Sequence, residues 1–255
     1  MRTPRSMEFN ERSHNRYWWF SHNRPKYVPP IFDFLSEDEW GLMDAWYNET
    51  EKTHAYGTGE CNVPAMSFLL GLVMGNNVSR VLQCGHFIGF STLLLGFMLR
   101  RMGHTAGLFS IDVDSDVTKV TQRWITEGGL DEYVKLVVSD SAMPNLVVEA
   151  HQYLRGNPQV MFIDSSHEYR HTLKELRLWV PALQPGGFAL LHDVSEFARN
   201  FDGSNEGGVK EAVNAYAKEN DLPQIMINGF SGNSHFGDKL VYQDACGLGI
   251  IQVPS

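Results

Sequence analysis

The fold is decided by the stretch VLQCGHFIGFST, residues 81–92. A short strand, predicted to be buried, ends at Gly85, the chain turns sharply, and a helix begins near Gly89. Glycines let the backbone pass close under a ligand, and the start of the helix offers free N–H groups to an anionic group. The spacing is G-x-x-x-G, so the G-x-G-x-x-G cradle of dinucleotide-binding domains is not matched. Many tight strand-to-helix turns contain this spacing, so the turn alone does not establish a site.

Outward from this stretch, short apolar runs alternate with segments of helical length. The apolar, β-branched runs cover 79–84, 107–112, 134–138, 159–164 and 187–192, and the helical segments between them cover 89–102, 115–127, 142–155 and 168–182. Strands separated by helices form crossover units, which place parallel strands in one sheet with helices on both faces. The sequence therefore predicts a doubly wound α/β domain.

The C-terminal part departs from this alternation. A helix is predicted at about 207–219, followed by apolar runs at 223–228 and 246–253. The segment 229–237 between those two runs is rich in Gly, Asn and Ser, as a hairpin-like connection would be. We therefore expect a mostly parallel sheet with an antiparallel edge strand.

The first 60 residues are expected to form an arm and a cap helix rather than a separate domain, with the main domain over 61–255. Ser36 and Glu39 match a capping box, which predicts a helix running toward residue 50. An apolar helix is predicted over about 64–74. The aromatic cluster YWWF at 17–20 is too apolar to remain in water, so it is expected to pack on the body or on another subunit.

Composition limits the classes of function. The net charge of −9 argues against a general nucleic-acid-binding protein, although residues 1–30 carry six basic side chains against two acidic ones. No apolar run approaches the roughly 20 residues that span a bilayer, and three widely separated cysteines fit neither a disulfide framework nor a thiolate zinc site. We expect a cytoplasmic protein that binds no nucleic acid or membrane and forms a homo-oligomer through its arm.

Residues suited to ligand binding lie at the ends of three successive predicted strands. Gly85 ends the first strand, Asp112 ends the second, and Asp140 and Ser141 follow the third. The carboxyl ends of parallel strands meet at one edge, where open α/β sheets bind ligands. A carboxylate at the second strand tip suits the two hydroxyls of a ribose, and Asp140 lies within reach of an adenine amino group. The alternative for Asp112 is a helix cap, a role for which Asp114 is as well placed.

The fourth and fifth strand ends carry carboxylates and imidazoles. Asp164 and His167 follow the fourth strand, and His192 and Asp193 follow the fifth. Desolvation and mutual charge can tune such groups for proton transfer or metal binding. In the alternative interpretation, Asp164 caps the following helix and His167 lies exposed on its first turn.

With these residues in place, the sequence resembles class I S-adenosylmethionine-dependent methyltransferases. The resemblance is to the small-molecule O-methyltransferases that act on catechol, caffeoyl-coenzyme A or antibiotic sugars. VLQCGHFIGFST follows the family pattern vLEiGtytGyST, and MFIDSSHEYRHTLKELRLWVPALQPGGFALLHDV at 161–194 follows viDgdHsYegvlaDlelwaplLkpGGyivlhDv. The similarity covers about 79–253 and implies a Rossmann-like fold.

The resemblance also implies roles for individual residues. It assigns the cofactor to Gln83, Gly85, Phe87, Gly89, Ser91, Asp112, Asp140, Ser141 and Asp164, and a divalent cation to Asp164, His192 and Asp193. Gln83 stands where the family has an acidic residue near the cofactor amine, and His192 stands where it has a carboxylate. Two carboxylates and an imidazole suit Mn²⁺ or Fe²⁺ better than Mg²⁺, and whether a metal is required stays open.

The function predicted from the sequence is methyl transfer from S-adenosylmethionine to a hydroxyl oxygen of a small molecule, such as a sugar, a phenol or a natural-product intermediate. His167 is the predicted general base, with Asp164 beside it. A divalent cation at this site would assist by lowering the pKa of the acceptor hydroxyl. Two alternatives remain: an inactive protein that binds the cofactor, and a nicotinamide-dependent oxidoreductase.

Overall fold

A seven-stranded sheet organises the protein. The computed structural model describes residues 29–53, 61, 63–232 and 240–255. The strands are β1 (Val81–Cys84), β2 (Leu108–Asp112), β3 (Val134–Val138), β4 (Val160–Ile163), β5 (Phe188–His192), β6 (Gln224–Ile227) and β7 (Leu248–Gln252). Their order across the sheet is β3-β2-β1-β4-β5-β7-β6.

The pairing of these strands brings the predicted site residues to one edge. Strands β1 to β5 pair in parallel, with Cys84 opposite both Ile111 and Ile163, so their carboxyl ends meet along that edge. Strand β7 is antiparallel to both β5 and β6 and lies between them, one position in from the edge. The predicted α/β fold, with a mostly parallel sheet and an antiparallel strand at this end, is confirmed.

Helices cover both faces of the sheet, as crossover connections require. They are α1 (Glu37–Thr53), α2 (Val63–Gly75), α3 (Phe90–Met102), α4 (Ser115–Glu127), α5 (Asn145–Leu154), α6 (Tyr169–Trp179) and α7 (Gly208–Asn220). Buried residues of α1 to α4 form one apolar cluster, and those of α5 to α7 form the other. Strand residues alternate between the two, since Val160 packs in the first cluster and Met161 in the second.

The cap helix α1 begins as its sequence predicts. The Glu39 N–H donates to Ser36 Oγ at 3.2 Å, and the Ser36 N–H donates to Glu39 Oε2 at 2.5 Å, which completes the capping box. Further along, Trp46 Nε1 donates to the Ile88 carbonyl at 2.8 Å and stacks near Phe90. Helix α1 therefore packs directly on the turn that precedes α3.

Several predictions fall outside the described residues. These are the arm at 1–28 with its aromatic cluster, and most of the predicted hairpin connection at 229–237. Within the described ranges, none of the helices has the length and apolar character that crossing a membrane requires.

Candidate active site

The turn between β1 and α3 is held in a conformation that few side chains tolerate. Gly85 has φ 86°, and a Cβ there would lie 2.0 Å from the carbonyl oxygen of Asp164, so only glycine fits against the end of β4. Gly89, with φ 99°, precedes α3 and no side chain caps that helix. Phe87 between them also has a positive φ, 42°. The uncapped N–H groups at the start of α3 are suited to an anionic group.

Asp112 fixes this turn from the tip of β2. Its Oδ2 accepts the backbone N–H groups of His86 and Phe87 at 3.0 and 2.8 Å, and its Oδ1 accepts the N–H of Asp114 at 3.0 Å. Asp114, rather than Asp112, caps α4 through the N–H groups of Asp116 and Val117. Asp112 is therefore not the helix cap, and its carboxylate faces the glycine turn.

Gln83 faces a buried polar network below the turn. Its Nε2 donates to Ser91 Oγ at 2.6 Å, and its Oε1 accepts the hydroxyls of Thr92 and Ser110 at 2.9 and 3.1 Å. Ser110 also contacts Nδ1 of buried His86 at 3.1 Å. Burial lowers the pKa of His86 to about 4, despite the nearby charge of Asp112. Gln83 and Ser91 thus bond each other beneath the turn.

Asp140 and Ser141 lie beyond β3 and have different partners. Asp140 Oδ1 accepts the Ala142 N–H at 2.8 Å and contacts His171 Nε2 at 2.9 Å. Ser141 Oγ donates at 2.5 Å to Glu175, a fully buried carboxylate on α6. Half of the Asp140 side chain is exposed, whereas Ser141 is buried. Asp140 is thus the more accessible of the two.

The ends of β4 and β5 bring three ionisable side chains together. Asp164, His167 and Asp193 each offer a ligand atom, and these atoms all lie within 4.8 Å of one another. His167 Nε2 lies 3.0 Å from Asp193 Oδ2 and 3.9 Å from Asp164 Oδ1. His167 and Asp193 both have left-handed backbone, with φ 60° and 66°. Such strain is concentrated at functional sites, which marks this cluster.

His192 lies beneath the same carboxylates. Its Nδ1 is 3.3 Å from both Asp164 Oδ1 and Asp193 Oδ2, and its Nε2 is 2.9 Å from Oδ2 of fully buried Asp244. The predicted set Asp164, His192 and Asp193 therefore does converge. His167 extends the set, because it joins the same two carboxylates.

The charges in this cluster shift one another. Burial alone would raise the pKa of Asp164 and Asp193, but the charge of His192 and the bonds from His167 and His192 hold both below the usual range. Burial alone would lower the pKa of His167, but bonds to Asp164 and Asp193 raise it to about 10. The pKa of His192 is likewise raised well above its usual value, against burial, by Asp193, Asp244 and Asp164. Without a cation, both imidazoles are thus protonated at neutral pH.

A thiol lies on the far side of His192. Ligand atoms of Cys246, His192 and Asp244 lie within 4.8 Å of one another. Burial and the charge of Asp193 raise the pKa of Cys246, so this cysteine is a neutral thiol at neutral pH.

Two aromatic rings border the cluster from the segment after β5. Phe201 lies 5.7 Å from the His167 ring and 5.2 Å from Phe197, measured between ring centroids. Glu206 ties this segment to the start of α6 through two bonds from Arg170, at 2.6 and 2.7 Å. The cluster therefore lies beside a partly exposed aromatic wall.

Four residues near the site were not predicted from the sequence. They are His171, Glu175, Asp244 and Cys246. Glu175 carried a signal, because it occupies an apolar face of α6 together with Thr172, Leu176 and Trp179, all buried. Asp244 and Cys246 carried none, since only the antiparallel course of β7 brings them to His192.

The comparisons with known proteins agree with this fold. Residues 82–194, a little under half of the chain, match the sequence model of a family described as "Methyltransferase domain". A search of curated proteins found no significant match.

Solved structures with the same fold include three enzymes of low sequence identity. An O-methyltransferase from Bacillus cereus in complex with SAH (S-adenosylhomocysteine) has a TM-score of 0.61 at 11% identity, covering 92% of this chain and 97% of that one. A putative caffeoyl-CoA O-methyltransferase from Staphylococcus aureus has a TM-score of 0.64 at 12% identity, with 94% and 98% covered. An SAH-bound methyltransferase from Podospora anserina has a TM-score of 0.65 at 11% identity, with 99% and 100% covered. Residues 82–194 therefore match a methyltransferase-domain model, and the chain has the fold of these solved methyltransferases.

Proposed function

We propose that this protein transfers a methyl group from S-adenosylmethionine to a hydroxyl oxygen of a small molecule. The observation that carries the proposal is the cluster of Asp164, His167 and Asp193, which combines acid–base groups with strained backbone. It lies at the same sheet edge as the glycine turn, and a Cβ at Gly85 would collide with the Asp164 backbone. A methyl donor on the turn would therefore lie next to the cluster.

The residues at the edge fit S-adenosylmethionine. The uncapped start of α3 suits the carboxylate of its methionine part. Asp112 already accepts one N–H on Oδ1, and a carboxylate oxygen can accept a further bond from a ribose hydroxyl. Asp140 Oδ2 has no partner among the described residues and can accept the amino group of adenine. S-adenosylmethionine itself supplies a methyl group already activated by its positive sulfur.

The cluster also fits a divalent cation. Asp244 Oδ2 can only accept, so Nε2 of His192 must carry the hydrogen between them. Nδ1 then faces two carboxylates at 3.3 Å, which is stable only if Nδ1 is protonated or a cation lies between. Asp164, Asp193 and His192 would hold such a cation, with His167 beside it. When bound, it would lower the pKa of an acceptor hydroxyl and orient two neighbouring oxygens.

The chain's own residues would do the remaining work. His167 has its Nε2 within reach of the carboxylates and its ring edge near solvent, so it can take the proton of the acceptor once it is neutral. Phe197 and Phe201 would exclude water from one side and pack against the acceptor. Alignment of the acceptor oxygen with the methyl group is the main catalytic requirement.

Neither alternative gains support. An inactive binding protein is an alternative because Gln83 and His192 depart from the family pattern. Both polar atoms of the Gln83 side chain are hydrogen-bonded within a buried network, and His192 contacts both carboxylates, so neither departure breaks up the arrangement. The glycine spacing still argues against a nicotinamide-dependent oxidoreductase.

The test has two stages. Calorimetric titration with S-adenosylmethionine, S-adenosylhomocysteine and NAD⁺ should show binding of the first two only. Incubation with a panel of phenols, catechols and sugars should then give products heavier by one methylene, seen by mass spectrometry. Binding without turnover across a broad panel would favour the inactive protein, and NAD⁺ binding would favour the oxidoreductase.

A further inference from the structure

A carboxylate that the proposed chemistry does not use lies below the adenine end of the site. Glu175 on α6 is fully buried. Ser141 Oγ donates to its Oε1 at 2.5 Å, and Ser165 Oγ lies 2.9 Å from both of its oxygens. Ser141 follows β3 and Ser165 follows β4, so one carboxylate joins the tips of two strands. The Trp179 indole N–H donates to the Ser141 carbonyl at 2.8 Å and fixes the same loop.

His171 connects this buried carboxylate to the surface. Its Nδ1 lies 3.5 Å from Glu175 Oε2, and its Nε2 lies 2.9 Å from Asp140 Oδ1. The first distance is long for a hydrogen bond, so this contact is an ion pair. The ion pair with Glu175, acting against burial, raises the pKa of His171 to about 9, with a further contribution from Asp140. A protonated imidazole therefore bridges the two carboxylates at neutral pH.

The contact with His171 leaves Asp140 in a defined orientation. The His171 ring and the Ala142 N–H both contact Oδ1, and no described residue bonds Oδ2. One oxygen is thus anchored and the other is presented at the sheet edge. An ionised carboxylate can only accept hydrogen bonds, so the free oxygen favours a ring with an amino group over one with a carbonyl group.

We propose that His171, held by Glu175, is a positioning residue that makes the cofactor site selective for adenine. It does so by fixing one oxygen of Asp140, so that the other faces the position of the 6-amino group. Hypoxanthine carries a carbonyl oxygen at that position, and two acceptors would then face each other. This inference rests on the proposed function, because it requires an adenosyl ligand at this edge.

A merely structural role for His171 predicts something different. If the imidazole only supported the loop, its loss would weaken every ligand of the site by the same factor. If it orients Asp140, its loss would weaken the adenine ligand more than the hypoxanthine ligand. The ratio of the two affinities is therefore the decisive quantity, and it does not depend on turnover.

The experiment compares S-adenosylhomocysteine with S-inosylhomocysteine, which has a carbonyl in place of the 6-amino group and a hydrogen on N1. Calorimetry on the wild type should give at least tenfold tighter binding of the adenine form, since a site built around a hydrogen bond rejects the analogue that lacks it. His171→Ala should weaken binding of S-adenosylhomocysteine by roughly 10–150-fold, the value of a bond to a charged group, and reduce the preference to about threefold or less.

Two further variants protect the test against misfolding. His171→Gln keeps an N–H donor for Asp140 and should retain part of the preference, and Glu175→Gln removes the buried charge and should reduce it. His151→Ala, on α5 with its Nε2 on the Ala182 carbonyl, is the matched control and should change neither affinity.

Each outcome decides something. If the wild type binds S-adenosylhomocysteine selectively and His171→Ala keeps the affinity ratio within twofold, the inference is wrong while the proposed function stands. If the wild type binds neither ligand at millimolar concentration, both fail. A preference that falls in His171→Ala and Glu175→Gln but not in His151→Ala supports the inference.

Discussion

Three residues around the proposed site hold left-handed backbone that their side chains disfavour. They are Phe87 on the glycine turn, His167 after β4 and Asp193 after β5. Each such residue costs about 1–3 kcal/mol and persists only where its surroundings impose the conformation. Here the surroundings are visible: Asp112 accepts the Phe87 N–H, and His167 bonds Asp193. The strain is therefore shared between the turn that would hold the cofactor and the cluster that would hold the acceptor.

Removal of Asp112 should weaken cofactor binding. Asp112→Ala removes the acceptor of the His86 and Phe87 N–H groups and the predicted partner of the ribose. We expect S-adenosylhomocysteine to bind about 1.5–3 kcal/mol more weakly by calorimetry, the size of a lost bond to a charged group.

Asp114 provides the matched control for that experiment. Asp114→Ala deletes a carboxylate two residues away that caps α4, so it should cost about 1 kcal/mol of stability and leave the affinity unchanged. If the wild type and Asp112→Ala bind S-adenosylhomocysteine with equal affinity, Asp112 does not contribute to the cofactor site.

His167 should make turnover rise with pH. Only a neutral imidazole can accept a proton, and its pKa is raised to about 10 where no cation screens Asp164 and Asp193. In protein stripped of divalent cations, kcat should therefore rise with pH toward that value. Added Mn²⁺ should move the midpoint toward neutrality, because it neutralises the two carboxylates.

Loss of the imidazole tests the same assignment. His167→Ala should lower kcat by about 10²–10⁴-fold and abolish the pH dependence, with little change in affinity for S-adenosylhomocysteine. His104→Ala, in the loop between α3 and β2 beside Asn77, is the control. A mutant with near-normal kcat and the wild-type profile would end the base assignment.

Asp193 should separate cation binding from cofactor binding. Asp193→Ala removes an oxygen that both His167 and His192 contact, so Mn²⁺ measured by electron paramagnetic resonance should no longer bind. Cofactor affinity should remain nearly intact, because Asp193 contacts none of the glycine turn's partners described above. If a chelator leaves turnover of the wild type unaltered, the carboxylates orient the acceptor directly.

At the scale of elements, the sequence predicted best those parts that depend on local patterns. The capping box of Ser36 and Glu39, which consists of two local hydrogen bonds, predicted the start of α1. Each of the five parallel strands β1 to β5 was predicted from an apolar run in the alternation of strands and helices. The partners of the site residues could not be read in this way. Asp244 reaches His192 only because β7 runs antiparallel beside β5, and Glu175 reaches Ser141 across 34 positions of sequence.

Glu39 should tie α1 to α3 in a pH-dependent way. Its carboxylate accepts from Arg100 at 2.7 Å and from Arg101 at 2.9 Å. Burial would raise the pKa of Glu39, but Arg100, the Ser36 N–H and Arg101 hold it below its usual value of 4.5. A carboxyl group whose pKa is lowered by folding stabilises the folded state at pH values above its pKa in the unfolded chain. This contribution is lost as the pH falls through its pKa in the folded protein.

Urea unfolding of Glu39→Gln can measure this contribution. The variant should be less stable than the wild type by about 1–3 kcal/mol at pH 7, and the difference should shrink below pH 4.5. Asp38→Asn, in the same first turn but exposed, should show a much smaller loss. A difference that stays constant down to pH 3 would refute the ion-pair explanation.

The whole molecule carries a net charge of −9, and its basic arm lies outside the described residues. The predicted homo-oligomer therefore stays a prediction. The described residues nevertheless support a prediction about stability, because cofactor and acceptor would bind along one edge shared by five parallel strands. Binding there should stabilise the folded chain as a unit.

Thermal unfolding can measure that linkage. S-adenosylhomocysteine at about 100 times its dissociation constant should stabilise the folded state by about 2.7 kcal/mol and raise the Tm. Adenosine, which lacks the amino-acid part, should give a smaller shift at the same concentration. No shift at millimolar S-adenosylhomocysteine would count against the cofactor assignment as a whole.

The place of β7 in the sheet also sets the order of events during translation. The ribosome completes β5 at His192 and reaches the start of β7 at Leu248 56 residues later. At about 5–20 residues per second this delay lasts roughly 3–11 s. In that interval the edge of β5 has no neighbour, and His192 has no Asp244 to hold its ring. A nascent chain thus exposes an open strand edge, which is a template for pairing with other chains, and the side-chain cluster around His192 is completed only when synthesis reaches β7.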